Sequence, residues 1–355
     1  MKTSKDDLLP VSKGVSSADQ AEALRHAFEQ GLTESPMTVK TLPPSASQLV
    51  HLKPQNAMGA IFVTACAGLT GLSLWLSTLD NLVAWLSGQI LLAVALIQWF
   101  VLLHETGHQT LFRTRFLNTY VGHLASFFSI IPFHCWKVVH NKHHVWTGWQ
   151  DLDATTATLV PRKLGGAEKV LVNFCWRFWI PLFSIVYRAN NFWNLPRLRE
   201  FFPLKQQRRM TWNILLLLAV YTGVVYLIGF GQLLRLVGLG FLLSLVFQDP
   251  LLLSQHTHIP QNLSRGKKVQ PYPAIQQEVF TRSLRFPSWF SNCVLMNFDA
   301  HELHHMYIQV PGYCLRRIDY TPQNEVHWWQ WIAKAKRVPG EVFLFQNRTQ
   351  SGFNL

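Results

Sequence analysis

The sequence predicts an all-α integral membrane protein: four transmembrane helices in two hairpins, with a cytosolic helical cap holding a histidine-rich site for two metals. Three observations predict it. Four apolar runs have spanning length, the basic residues fall on one side of them, and three histidine clusters sit beside or between their ends.

Residues 1–56 are polar and contain no early apolar stretch, so no cleavable signal peptide is expected. Within them Ser17 and Gln20 fit a capping box opening a short helix over 21–28. Pro36, Pro43 and Pro44 then mark a lead-in to the first span. Residues 57–78 and 82–103 carry no charge, and a helix of about twenty apolar residues crosses a bilayer. Only Leu79-Asp80-Asn81 separates them, which predicts a tight helical hairpin. Residues 212–230 and 232–253 form a second pair joined at Gly231, the last run carrying Arg235 near its start and Asp249 near its end. Soluble core helices are usually shorter. Two further stretches, 120–133 with Pro132 and 173–187 with Arg177 and Pro181, are apolar but short or interrupted, as expected of helices lying at the interface. The expected division is a polar segment over 1–56, a membrane domain over 57–315 and a cytosolic tail over 316–355.

Of 32 Lys and Arg, 6 precede the first span, 14 lie between the hairpins and 11 follow the last span. The remaining one is Arg235, and neither hairpin turn holds any. Four spans place all three basic regions on one side, which the positive-inside rule makes cytoplasmic. Both termini follow, and a bacterial inner membrane is the expected setting. The net charge of +13 fits anionic headgroups and an acidic partner protein, so no nucleic-acid partner is expected. Trp176-Arg177-Phe178-Trp179 reads as interfacial. The five cysteines form no C-x-x-C pair, which argues against a disulfide framework or a thiolate metal site.

The clusters are His104-Glu105-Thr106-Gly107-His108, His140-Asn141-Lys142-His143-His144 and His301-Glu302-Leu303-His304-His305. Spacings of i, i+3 and i+4 put the imidazoles of each cluster on one helix face. Neutral imidazole binds iron, copper, zinc and nickel. One zinc takes about four ligands, so eight such histidines point to two metals. The first cluster follows the second span directly, and Gln255-His256-Thr257-His258 follows the fourth. Both hairpins therefore deliver histidines to the same membrane face.

Boxes of the form H-x-x-x-H, H-x-x-H-H and H-x-x-H-H on one side of a four-span protein resemble the membrane fatty-acid desaturase and hydroxylase superfamily. The likeness covers roughly residues 57–315. Within it, the whole chain looks most like the bacterial membrane decarboxylases that convert free medium-chain fatty acids to 1-alkenes. The resemblance implies two irons, O₂ as co-substrate, and His104, His108, His140, His143, His144, His301, His304 and His305 as ligands. One more would come from the stretch after the fourth span, with His256 preferred and His258 the alternative. His26, His51, His123, His134 and His327 read as ordinary polar residues.

An unactivated C–H bond yields to no ordinary acid or base, so its oxidation needs an oxidant made from O₂. Three outcomes fit: an internal alkene, an alcohol, or a terminal alkene with loss of CO₂ from a free acid. Metal-bound imidazoles usually donate their other N–H to a carboxylate or carbonyl. Glu105, Asp151, Asp153, Asp299 and Glu302 are near the boxes in sequence, with Asp153 and Asp299 preferred. Lys137, Lys142, Arg113 and Arg115 are candidates to pair with a substrate carboxylate. No Fe–S cysteine spacing or G-x-G-x-x-G fingerprint is present, so a separate ferredoxin, flavodoxin or cytochrome-type donor is implied. Two rivals remain. His104–His108 and His301–His305 also satisfy the H-E-x-x-H of a zinc protease, which leaves residues 140–144 unexplained. A transporter would place its site near the midplane rather than beyond the span ends.

Overall fold

A computed structural model describes residues 42–353 and 355. The short helix expected over 21–28, and His26, lie outside the described residues. Leu79, Asp80 and Asn81 turn the first hairpin, between α1 (Asn56–Thr78) and α2 (Leu82–His108). Asn81 starts α2 by accepting a hydrogen bond from the Ala84 amide at 3.0 Å. Helix α2 does not stop at 103; it runs on through the first histidine box until Gln109 adopts a left-handed conformation.

Two shorter helices follow, α3 (Arg115–Ser129) and α4 (Phe133–Trp146). The stretch 120–133 is therefore the later part of α3 and a turn, where left-handed Ile130 ends the helix and Ser126 Oγ caps the Ile131 carbonyl at 2.6 Å. Residues 173–187 likewise divide between α5 (Gly166–Arg177) and α6 (Leu182–Arg188), the chain bending 115° between them. Pro181 lies at that bend, where its missing N–H suits the start of a helix.

The second hairpin joins α7 (Leu204–Ile228) to α8 (Phe230–His256). It differs from expectation at both visible ends. Helix α7 begins at Leu204 rather than 212, because Pro203 supplies a start and basic Lys205, Arg208 and Arg209 continue the helix past the apolar run. The break falls at Gly229 rather than Gly231, with Gly229 at φ 83°, a conformation open to glycine. Helix α8 contains a π turn over Leu234–Gly238. Gln89 of α2 satisfies its loosened backbone, donating to the Leu236 carbonyl at 2.8 Å and accepting from the Gly240 amide at 2.8 Å. The charges inside the fourth run are also accounted for. Arg235 pairs with Asp80 at 2.7 Å, and Asp249 accepts the Ser184 amide in the first turn of α6.

Helices α1, α2, α7 and α8 are all long and apolar enough to cross a membrane. Within their most apolar windows, α2 is 72% buried, whereas α1 and α7 are 22% and 17% buried. Helix α2 is thus the central post, and the others leave apolar faces outward. Further elements include β1 (Ser283–Arg285), α9 (His301–Met306), β2 (Glu325–His327), α10 (Trp328–Ala335) and α11 (Gly340–Phe345). Strands β1 and β2 pair in parallel, with Ser283 opposite Glu325. Residues after 315 are packed into the rest: Arg316 pairs with Asp299 at 2.8 Å, and Trp331 and Phe343 form a buried cluster with Trp176 of α5.

Candidate metal centre

Nine histidines converge where α2, α4, α8 and α9 meet. His104, His108, His140, His144 and His304 form one group, and His143, His256, His301 and His305 another. Within each group one ring nitrogen per residue lies within 4.8 Å of all the others. The groups adjoin, the His144 ring lying on that of His305 with centroids 4.2 Å apart. Close approach of α2 and α4 depends on Gly107, since a β-carbon there would come 3.0 Å from Trp136 Nε1.

Acceptors on the outer side of the rings fix their tautomers. His143 Nδ1 donates to Asp153 Oδ2 at 2.7 Å, and His256 Nδ1 to the Phe280 carbonyl at 3.2 Å. His305 Nδ1 donates to Gln277 Oε1 at 2.9 Å. The Gln277 amide is itself oriented, because its Nε2 donates to the His144 carbonyl at 2.7 Å. His104 Nδ1 lies 3.1 Å from Glu105 Oε1. In each neutral ring Nε2 must therefore carry a lone pair. Yet His143 Nε2 and His256 Nε2 face one another at 3.0 Å, where neither has a proton to share. His301 Nε2 joins them, 2.8 Å from His256 Nε2 and 3.1 Å from His305 Nε2. In the first group His144 Nε2 is 3.0 Å from His304 Nε2 and 3.2 Å from His140 Nε2. His104 Nε2 and His108 Nε2 are buried with no hydrogen-bond partner among the described residues.

Converging lone pairs repel unless a cation lies among them. Nitrogens bound at about 2.0–2.1 Å to one metal sit roughly 3 Å apart, the spacing seen here. Both groups thus fit a metal ion, and a donor set of neutral imidazoles suits iron among the transition metals.

Electrostatics agree. Burial, followed by the charges of neighbouring histidines, holds His140, His144, His301, His304 and His305 well below the ordinary imidazole value. Burial pushes the Asp153 carboxyl up, but the charge and hydrogen bond of His143 and the Thr155 amide outweigh it and bring it to about 2. Burial thus disfavours the protonated form of these five imidazoles, while Asp153 is held ionised.

Asp299 requires correction. It accepts from Ser291 Oγ at 2.6 Å and pairs with Arg316, so this ion pair draws it away from the histidines. Asp151 instead binds the Ser264 amide and hydroxyl. His258 turns aside to Ser351 Oγ at 2.8 Å, while its neighbour His256 joins the second group. His51, His123, His134 and His327 belong to neither group. Lys142 approaches the Phe201 carbonyl at 3.5 Å, and Lys137, Arg113 and Arg115 line no part of the cavity beside the histidines. Gln277 and the Phe280 carbonyl escaped sequence reading, because they reach the boxes from a 3-10 helix over Ala274–Phe280 whose sequence carries no histidine spacing to mark them.

Both glutamates of the H-E-x-x-H patterns are committed to structural bonds. Glu105 accepts the Gly312 amide at 2.8 Å and Thr110 Oγ1 at 2.9 Å. Glu302 accepts the Asn324 amide at 2.7 Å and the Ser283 amide at 3.2 Å. Glu302 has both oxygens engaged, and Glu105 has Oε2 bonded twice and Oε1 beside His104 Nδ1, so neither is free to serve as a protease base.

Comparison with known proteins agrees with this geometry. Residues 80–332 match the family described as fatty acid desaturase. An sn-1 oleoyl-lipid 12-desaturase of Picosynechococcus is 24% identical over 330 residues, covering 84% of this chain and 91% of that protein. An sn-2 acyl-lipid omega-3 desaturase (ferredoxin) of Helianthus annuus is 26% identical over 61% of this chain and 50% of its own length. Another sn-1 oleoyl-lipid 12-desaturase, from Anabaena variabilis, is 34% identical over 32% of this chain and 31% of its own. With a family match across most of its length, spanning every histidine of the centre, the chain belongs to the fatty acid desaturase family.

Proposed function

We propose that this membrane oxidoreductase uses O₂ to oxidise a fatty acyl chain, and that its particular reaction is oxidative decarboxylation of a free medium-chain fatty acid to a terminal 1-alkene. The observation that carries the first part is the meeting of nine histidines in two adjoining groups whose nitrogens point inward. The second part rests on the likeness of the whole chain to alkene-forming decarboxylases.

Two iron ions in these groups would supply the reduction of O₂ that C–H oxidation requires. The chain's own residues do the rest. Asp153, Gln277 and the Phe280 carbonyl hold the imidazole tautomers. Trp136, Phe183, Leu252 and Phe298 line the cavity beside the histidines and exclude water from it. In the overall reaction a β-hydrogen and the carboxyl group leave the acid as the C–C double bond forms and CO₂ departs. O₂ takes two electrons from the acid and two from a donor, together with protons, and yields two waters.

A separate ferredoxin, flavodoxin or cytochrome-type protein would deliver those electrons to the basic cytoplasmic face, in a bacterial inner membrane. The word ferredoxin in the name of the Helianthus relative supports the first of these. The names of the relatives favour a second reading, desaturation of an acyl lipid. Iron-loaded protein given dodecanoic acid, a ferredoxin reducing system and O₂ separates the two by gas chromatography–mass spectrometry. A terminal alkene one carbon shorter is expected; an unsaturated or hydroxylated acid of unchanged length would replace decarboxylation by ordinary desaturation or hydroxylation.

A further inference from the structure

Two cavities share part of their lining, and the inner one lies beside the centre. The inner one, about 40 Å³, is bordered by His143, His256, Thr155, Thr156 and Gln255. The outer one, about 600 Å³, runs among α5, α6 and α11, with apolar Leu171, Val172, Ile180 and Val186 in its wall. Leu159, Phe183 and Tyr187 line both. The large cavity is in the range that holds small ligands, whereas the inner one has room for little beyond a small polar group.

Gln255 is only 5% exposed, and its Nε2 has no hydrogen-bond partner among the described residues. An unsatisfied buried amide is costly, so such a donor marks a place where a ligand acceptor belongs. A fixed positive charge lies beneath the same turn. Buried Arg282 donates to the Ser254 carbonyl at 2.9 Å and the Thr257 carbonyl at 3.2 Å, on either side of Gln255 and His256.

We infer that Gln255 binds the carboxyl head of a free fatty acid in the inner chamber, and that Leu159, Phe183 and Tyr187 form a neck through which the alkyl tail passes into the outer cavity. This rests on the acyl-oxidation reading above and names the residue that recognises the head group of its substrate. The small chamber has no room for the alcohol of a glycerolipid or the carrier of a thioester, so the head is a free carboxyl. Carbons next to that carboxyl, rather than mid-chain carbons, then lie beside the histidines. Gln255 thereby sets both head-group choice and the position of oxidation.

The test uses the full-length, iron-loaded protein without reductant, so that nothing turns over, and follows labelled dodecanoic acid by equilibrium dialysis. Gln255→Leu should weaken acid binding by about tenfold, the worth of one hydrogen bond to a charged group, with dodecane binding and iron content unchanged. Methyl dodecanoate should compete poorly with the acid in the unsubstituted protein. Equal binding of acid and ester, or unchanged acid affinity in an iron-replete Gln255→Leu protein, would overturn the inference. Should that variant lose iron, Leu159→Trp at the neck serves instead: it should exclude dodecanoic acid while sparing a short acid, and equal binding of both would overturn the tail path. Product analysis separates the two levels. Mid-chain oxidation at unchanged length would refute the head placement and leave acyl oxidation standing, whereas acid binding through Gln255 with no oxidation of any acyl chain would refute the acyl-oxidation reading.

Discussion

Asp153 acts at a distance of one imidazole. Its carboxylate accepts from His143 Nδ1 at 2.7 Å and is itself fixed by the Thr155 amide at 2.9 Å. Removing it frees the His143 tautomer without deleting a nitrogen of the site. Asp153→Ala should therefore lower metal affinity about 10–100-fold, measured by chelator competition, while circular dichroism shows the helices retained. Affinity equal to that of the unsubstituted protein would refute the tautomer argument.

Protons compete at the same nitrogens. The folded centre holds His140, His144, His301, His304 and His305 well below their ordinary value, chiefly through burial. Above about pH 6.5 neither the folded nor the unfolded histidines bind protons, and their full contribution to stability is present. As pH falls below that, the unfolded chain takes up protons that the folded one excludes. Each such histidine then removes about 1.4 kcal/mol per pH unit until its folded value is reached. Asp153 adds a loss of the same sign only at lower pH, from its unfolded value near 4 down to about 2. Thermal midpoints and metal retention should both fall steeply between pH 6.5 and 5; a flat profile would show that the histidines titrate freely.

At the scale of the element, the polar groups inside the spans are structural. Gln89 bridges α2 to the π turn of α8 through the Leu236 carbonyl and Gly240 amide and also donates to Ser77 Oγ at 2.8 Å. Gln89→Leu should cost about 1–2 kcal/mol of stability, read as a lower thermal midpoint in detergent, since bonds of this kind within a bilayer are individually worth about 0.6–1.7 kcal/mol. Elements with a local signal were legible from sequence. Long apolar runs marked α1 and the start of α2 nearly to the residue, because span length is dictated by the bilayer. The start of α7 was not, because basic residues continue a helix as readily as apolar ones once Pro203 has begun it. Strands β1 and β2 were missed as well: each has three residues, and they pair across about forty positions with no hairpin turn between them.

For the whole molecule, the same distinction separates what sequence foretold of the centre from what it did not. Box spacing alone grouped the histidines by helix, since i, i+3 and i+4 fall on one face. It did not show how the boxes mix. The His140–His144 box is divided, His140 and His144 joining His104, His108 and His304 while His143 joins His256, His301 and His305. Only tertiary packing decides such a partition. Asp299 illustrates the reverse: adjacency to His301 suggested a partner, but Arg316 lies close by and takes it.

The central claim is that this partition creates two metal sites, and iron counting on purified protein tests it most directly. Full-length protein should hold close to two iron atoms per chain, one for each histidine group. His305→Ala should lose metal mainly from the second group, leaving about one, because the first group keeps all five of its imidazoles. A single iron in the unsubstituted protein, or zinc in place of iron, would contradict the account.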